Sequence, residues 1–252
     1  MLFDTHCHLA SPPLTDRLPE TLAEAAADGV TRFLVPATGA QDWHAVAALQ
    51  NDHTCIALGI HPWFVTRQPQ DALPRLATLL AQYPQALVGE VGLDRLPQHL
   101  AHADVQQGCF DAQLALAQEM QRPVILHCVR AAEACRARIR HTGFQHGGLI
   151  HAFSGSPEEA HTWLKLGFKI GIGSLLLNPY ARKIRNTVAA LDWGDMVLET
   201  DAPYMPPQGK THNHPRHTRR VAEAVAAIRG CDWQTVAQHT TRTALALVGR
   251  TA

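Results

Sequence analysis

The chain has 252 residues, of which 46% are apolar and 17% charged, a balance that supports a large buried core and excludes a disordered polypeptide. Its 22 basic residues match 22 acidic ones, so the formal net charge is zero. That excludes coating of nucleic acid by bulk charge, and any polyanion contact must be local.

Residues 2–8 (LFDTHCH) read as a first strand, followed by a loop-like stretch at 11–13. Residues 32–38, 54–61 and 86–94 read as the next three strands. Between the last two, residues 71–83 carry Leu73, Leu76, Leu79 and Leu80 at helical spacing. Residues 105–120 form a further helix, with Val105, Phe110, Leu114 and Ala117 as its apolar positions. Strands follow at 123–128 and 148–154. Ser156-Pro157-Glu158-Glu159 is a capping box with proline at the first helical position. Gly167 stands where a helix-ending glycine belongs. Strands at 168–174 and 196–201 bring the total to eight, a loop covers 204–217, and residues 215–252 close the chain as two helices split near Gly230-Cys231-Asp232.

The strands are near-continuously apolar, as strands covered on both faces are. Alternation of strand and helix through eight strands, with no linker or repeat, predicts an α/β fold: a (β/α)8 TIM barrel in one domain over residues 1–252. The rival is an open doubly wound sheet, but no GxGxxG or phosphate-binding glycine loop follows the first strand.

In a β/α barrel the active site is built at the C-terminal strand ends. Here strand 1 ends in His6 and His8, and strand 3 in His61. Strand 4 carries Glu90 and Asp94, strand 5 ends in His127, strand 6 contains His151, and strand 8 ends in Glu199 and Asp201. His6 and His8 are two apart, so on a strand both rings face one side. His6, His8, Glu90, His127, His151 and Asp201 are the candidate metal ligands. Four nitrogens and two oxygens are more than one tetrahedral ion uses. Two divalent ions are therefore expected, Zn, Mg or Mn, with Glu90 bridging. Glu90 and Asp201 are the candidate catalytic carboxylates, Asp201 as acceptor of the proton of a metal-activated water. Other uses remain open: a buried salt bridge for Glu90, a turn cap for Asp201, satisfied core positions for the histidines. His61, Asp94 and Glu199 are expected to touch substrate or to support the ligands. Cys7 and Cys128 have the opposite parity and read as packing.

Loops after barrel strands 7 and 8 frequently form phosphate sites. Arg182, Lys183 and Arg185 follow strand 7; Lys210, Arg216, Arg219 and Arg220 follow strand 8, among His212, His214 and His217. The alternative is a solvated basic face. Trp63 and Phe64 either stack on a base or pack under a loop. The six cysteines form no CxxC pair and several sit in apolar runs, which predicts reduced thiols and, with no signal-like start, a cytoplasmic protein. No apolar run reaches the roughly 20 residues of a membrane span, so no membrane contact is expected.

Several stretches together resemble the TatD family of metal-dependent hydrolases. They are Asp4-Thr5-His6-Cys7-His8-Leu9, Gly59-Ile60-His61-Pro62, Gly89-Glu90-Val91-Gly92-Leu93-Asp94, Pro123-Val124-Ile125-Leu126-His127, His151-Ala152-Phe153-Ser154-Gly155 and Glu199-Thr200-Asp201-Ala202-Pro203. The resemblance implies a barrel with one to three divalent metals and deoxyribonuclease activity, often 3′ to 5′ exonuclease. It implies that His6 and His8 bind one metal, that Glu90 bridges, that His127 and His151 bind a second, and that Asp201 ligates the first. Where the family often has serine and then arginine after the strand 5 histidine, this chain has Cys128-Val129-Arg130, and Arg130 could hold a phosphate. The expected partner is DNA or a small phosphoester, and the expected state a monomer. A hydrolase of cyclic amides or lactones and a non-enzymatic metal-binding barrel are the alternatives. Glu90 in strand 4, where a carboxylatable lysine could stand, leans toward phosphoesters.

Overall fold

A computed structural model describes residues 1–249; residues 250–252, the end of the expected closing segment, lie outside the described residues. One parallel sheet runs in chain order through β1 (Leu2–Asp4), β2 (Val30–Pro36), β3 (Thr54–Leu58), β4 (Leu87–Asp94), β5 (Val124–Val129), β6 (Gly148–Ile150), β7 (Phe168–Ile172) and β8 (Met196–Leu198). The ends of β8 and β1 meet again. The Thr5 N–H donates to the Leu198 carbonyl at 2.9 Å, the Asp201 N–H to His6 at 2.8 Å and the His8 N–H to Ala202 at 2.7 Å. This closes the TIM barrel. Around it lie α1 (Leu18–Ala27), α2 (Trp43–Ala47), α3 (Ala72–Gln82), α4 (Ala103–Glu119), α5 (Ala132–Thr142), α6 (Pro157–Leu164), α7 (Arg182–Ala190), α8 (Thr218–Arg229) and α9 (Trp233–Leu247).

Local chemistry explains the element ends. Ser156 Oγ accepts from the Glu159 N–H while the Glu159 carboxylate accepts from the Ser156 N–H, the reciprocal pair expected at the start of α6. Gly230 ends α8 at φ +66, and Asp232 Oδ1 accepts from the Thr235 N–H at 2.7 Å to start α9. Leu76, Leu79 and Leu80 bury the inner face of α3. Val105 does not join the core. It lies five positions before Phe110, which at 3.6 residues per turn turns it away from the barrel, and it is exposed.

The core has two layers. Phe3, Leu34, Cys55, Leu87, Ile125, Leu149 and Val197 fill the barrel interior, with Ala244 and Leu245 of α9 packed against them. A larger shell, including Leu58, Val88, Val91, Leu126, Ile150 and Trp163, lies between strands and helices. Alternation carries the interior side from Ile125 to His127, from Leu149 to His151, and from Val197 through Glu199 to Asp201. In β4 the register shifts between Gly89 and Val91. Val88 and Val91 both belong to the outer shell, so the extra residue turns Glu90 inward.

Four strands stop three or more residues short of expectation. β1, β3, β6 and β8 stop at residues 4, 58, 150 and 198. Beyond them Ala152 (φ +48) and Asp201 (φ +60) take left-handed backbone, as does Arg130 (φ +51) at the end of β5. Such conformations cost of order 1–3 kcal/mol each and persist where surrounding contacts over-determine them. Here they turn the chain across the barrel mouth.

Candidate metal centre

At that mouth five imidazoles surround one carboxylate. Glu90 Oε1 lies 2.7 Å from His151 Nε2, 2.9 Å from His127 Nδ1 and 3.3 Å from His61 Nε2. Its Oε2 lies 3.3 Å from His6 Nε2 and 3.7 Å from His8 Nε2. Asp201 Oδ1 joins the second set, 3.3 Å from His8 Nε2 and 3.6 Å from His6 Nε2. Glu90 thus divides the histidines between its two oxygens. All of these side chains are buried except that of Asp201, which is 13% exposed.

Burial alone would push the Glu90 carboxyl up, but His151, His61 and His6 outweigh it and hold the group well below the ordinary carboxylate range. Burial depresses His151, yet the charge of Glu90 overrides it and lifts the imidazole to about 10. His6 falls to about 4 through burial and the neighbouring His151. A buried carboxylate ringed by imidazole nitrogens, with a second carboxylate beside it, is a donor set that suits a divalent cation. Four atoms here are buried with no hydrogen-bond partner: both ring nitrogens of His6, His151 Nδ1 and Glu199 Oε2. Leaving polar atoms unpaired in the interior is costly. His6 Nε2 is unpaired although two carboxylate oxygens stand near it, which fits a cation between them.

Tautomers separate the inner residues. Asp94 Oδ2 lies 3.0 Å from His127 Nε2 and accepts from Trp63 Nε1 at 2.7 Å, while Oδ1 accepts from the Leu96 N–H at 2.9 Å. Burial raises the Asp94 carboxyl, but these bonds, His127 first, bring it to about 2. Ionised Asp94 therefore receives the Nε2–H of His127, which leaves Nδ1, 2.9 Å from Glu90 Oε1, as the nitrogen that would give a lone pair to a cation at the centre. His61 is the reverse case. Its Nδ1 accepts from the Trp63 N–H at 3.1 Å, and burial lowers the ring to about 4, so the single proton sits on Nε2, facing inward. By distance His61 groups with Glu90 and His127 as a possible ion site, but its inner nitrogen is a donor.

The sequence-predicted residues fall into three places. His6, His8, Glu90, His127, His151 and Asp201 meet at the centre, and His61 stands with them rather than behind. Asp94 lies behind His127. Glu199 lies beside His151, where its Oε1 accepts from the Ala152 N–H and burial lifts the carboxyl to about 8. Arg130 is outside the cluster and exposed. Cys7 is buried in the outer shell, whereas Cys128 is half-buried and reaches the cavity wall. Two of the basic candidates are otherwise engaged. Arg216 pairs with Asp28 at 2.6 Å and with Glu24 at 3.3 Å, and Arg219 pairs with Glu223 at 2.8 Å over the ring of Trp233.

Sequence reasoning missed the residues that tie the site's walls together. Asp4 Oδ1 accepts from the N–H groups of His6 and Thr200, and Oδ2 from Thr200 Oγ1 at 2.6 Å, which fastens the end of β1 to that of β8. Their only signal was membership of the two motifs. Buried Asn213 donates to Ser174 Oγ, to the Thr200 carbonyl and to the Met205 carbonyl. It anchors the loop that brings Tyr204 and Met205 to a cavity of about 310 Å³ over Glu90, also walled by Trp63 and Phe64. No sequence pattern marked it.

A family model described as TatD related DNase matches residues 3–249. The chain belongs to the TatD related DNase family. Among TatD relatives, a protein named uncharacterized metal-dependent hydrolase YjjV, from Escherichia coli (strain K12), is 35% identical over 235 residues, which cover 90% of this chain and 89% of that protein. A protein named 3'-5' ssDNA/RNA exonuclease TatD, from Enterobacter lignolyticus (strain SCF1), is 30% identical over 98% of this chain and 99% of its own length. The crystal structure of the TatD homolog YjjV from Escherichia coli K12 matches with a TM-score of 0.92 at 33% identity, covering 98% of this chain and 97% of that one.

Proposed function

We propose that this TatD-type hydrolase is a metal-dependent nuclease, contained in one barrel domain, that removes nucleotides from the 3′ end of single-stranded DNA or RNA. The observation that carries the reading is the division of the histidines between the two oxygens of Glu90. One ion would be held by His6, His8, Asp201 and Glu90 Oε2, a second by His127, His151 and Glu90 Oε1, with Zn, Mg and Mn as the candidates. Bound there, divalent ions lower the pKa of water from 15.7 toward about 7 and neutralise charge on the reacting phosphate. The carboxylate of Asp201 is ionised at neutral pH, because His8 and its neighbours outweigh burial, and it accepts the proton of the attacking water. His61 donates its Nε2–H to a phosphoryl oxygen. Asp94 keeps the lone pair of His127 Nδ1 aimed inward. Trp63, Phe64 and Tyr204 offer apolar surface to a nucleobase.

The substrate follows from the relatives named as single-strand exonucleases and from the cavity's aromatic wall. The six cysteines are free, which suits work in a reducing cytoplasm. No helix among the described residues is long and apolar enough to cross a membrane.

The test is a nuclease assay on end-labelled single- and double-stranded DNA with EDTA-stripped protein, reconstituted with Mg, Mn or Zn, beside Glu90→Ala and Asp201→Ala. Metal-dependent shortening from the 3′ end that both variants abolish is the expected result. Intact DNA under every metal, with turnover of a small phosphoester, would replace the nuclease by a small-molecule phosphoesterase at the same centre.

A further inference from the structure

A second cavity, about 300 Å³, opens beside the first and shares Cys128, His151 and Ala152 with it. The chemistry of the two walls differs. Trp63, Phe64 and Tyr204 face the first, while Arg130 and Lys183 face the second beside Ser154 and Gly155. Both cations are exposed. Neither has an ion-pair partner among the described residues, whereas Arg136, Arg138, Arg140, Arg216 and Arg219 are each paired with a carboxylate. One acid, Glu159, also lines this cavity, but its carboxylate accepts from the Ser156 N–H at the start of α6. Lys183 follows Arg182 in the first turn of α7, which holds no acidic residue. The helix dipole disfavours cations at that end unless an anion joins them.

We infer that this second cavity binds the phosphate next to the scissile one, through Arg130 and Lys183, while the aromatic cavity receives the base of the terminal nucleotide. The inference rests on the nuclease reading above and names what that reading leaves open: which residues hold the second phosphate of an oligonucleotide. His151 belongs to both walls, with Nε2 at Glu90. A strand whose reacting phosphate sits at Glu90 therefore has an apolar chamber on one side and a cationic one on the other. Arg130, directly after β5, is exposed and lines this cavity but not the aromatic one. A guanidinium fork and an ammonium suit the non-bridging oxygens of a phosphodiester. The groove recognises backbone and not base, so it is indifferent to sequence.

The test compares wild type with Arg130→Gln/Lys183→Gln, which keeps the side-chain stems and removes both charges, on two substrates. One is labelled oligothymidylate; the other is the p-nitrophenyl ester of thymidine 5′-monophosphate, which has a single phosphate. The expected result is a rise in KM on the oligonucleotide of about 10-fold or more, with kcat/KM on the ester within about 2-fold of wild type. A second readout needs no turnover. Binding of the same oligonucleotide to metal-stripped protein, followed by fluorescence anisotropy against salt, should show a log–log slope shallower by about 0.7, the loss of one phosphate contact on a single strand. Equal losses on both substrates would move Arg130 and Lys183 to the scissile phosphate and overturn the assignment. An unchanged slope, or no binding by wild type, would overturn it as well. A wild-type protein that hydrolyses neither substrate would sink the nuclease reading, and the salt slope would then decide the groove alone.

Discussion

The carboxylate of Asp94 holds the imidazole of His127, with Oδ2 3.0 Å from Nε2, and so fixes which nitrogen of that ring faces Glu90. The same oxygen takes the Nε1–H of Trp63, which ties the wall of the aromatic cavity to the candidate metal centre.

Asp94→Asn should therefore weaken metal binding without unfolding the barrel. All three partners of the carboxylate are donors, and an amide has only one accepting end, so at least one bond becomes donor against donor. Supporting carboxylates of this type are worth about 10–100-fold in metal affinity. Calorimetric titration of the stripped variant with Zn or Mn should show that loss beside a near-native thermal transition. Unaltered affinity would mean that Asp94 does not set the orientation of His127.

Gly92→Ala should be among the most damaging single changes. Gly92 has φ +140, and a Cβ there would overlap the carbonyl oxygen of His127 across the β4–β5 ladder. The expected cost is about 3 kcal/mol or more, read from the urea midpoint. Gly108→Ala is the matched control. It lies in α4 with open space around it, and alanine should stabilise it by about 0.5–1 kcal/mol. Similar effects at both positions would contradict this account of the ladder.

His217 makes stability fall as the solution is acidified. Burial, with Arg220, His214, Lys210 and Arg216 nearby, lowers it from 6.5 to about 4. Because the folded value is the lower one, the unfolded chain takes up the proton first. Stability is therefore lost as pH drops from about 6.5 to about 4. The ring is only half-buried, so the loss is discounted to about 1–2 kcal/mol. His217→Gln should remove that part of the slope in urea unfolding of metal-stripped protein at pH 7 and pH 4.5. An identical pH slope in the variant would assign it to other groups.

Much of the barrel was legible because its signals are local. Leu76 and Leu80 sit one turn apart on α3, Ser156 and Glu159 cap each other within four residues, and Gly230 and Asp232 punctuate the chain between α8 and α9. Histidines and acids closing apolar runs also stand in plain view once strand ends are taken as the barrel's working edge. The ends of β1, β3, β6 and β8 were not legible, since apolar runs continue past the last ladder bond and left-handed residues such as Ala152 and Asp201 leave no mark in them. Nor was the exposure of Val105, which only the phase of α4 decides.

Sequence by itself determined the order of strands and helices and the supply of side chains at the barrel mouth, because periodicity and capping act over a few residues. Tertiary structure alone decided how those side chains meet. The bulge at Gly89 turns Glu90 inward, Asp94 and the Trp63 N–H impose opposite tautomers on His127 and His61, and Arg216 is drawn to Asp28, 188 residues away in the chain. Each depends on groups brought together by closure of the barrel, and contacts across such separations leave no periodic trace in a linear chain.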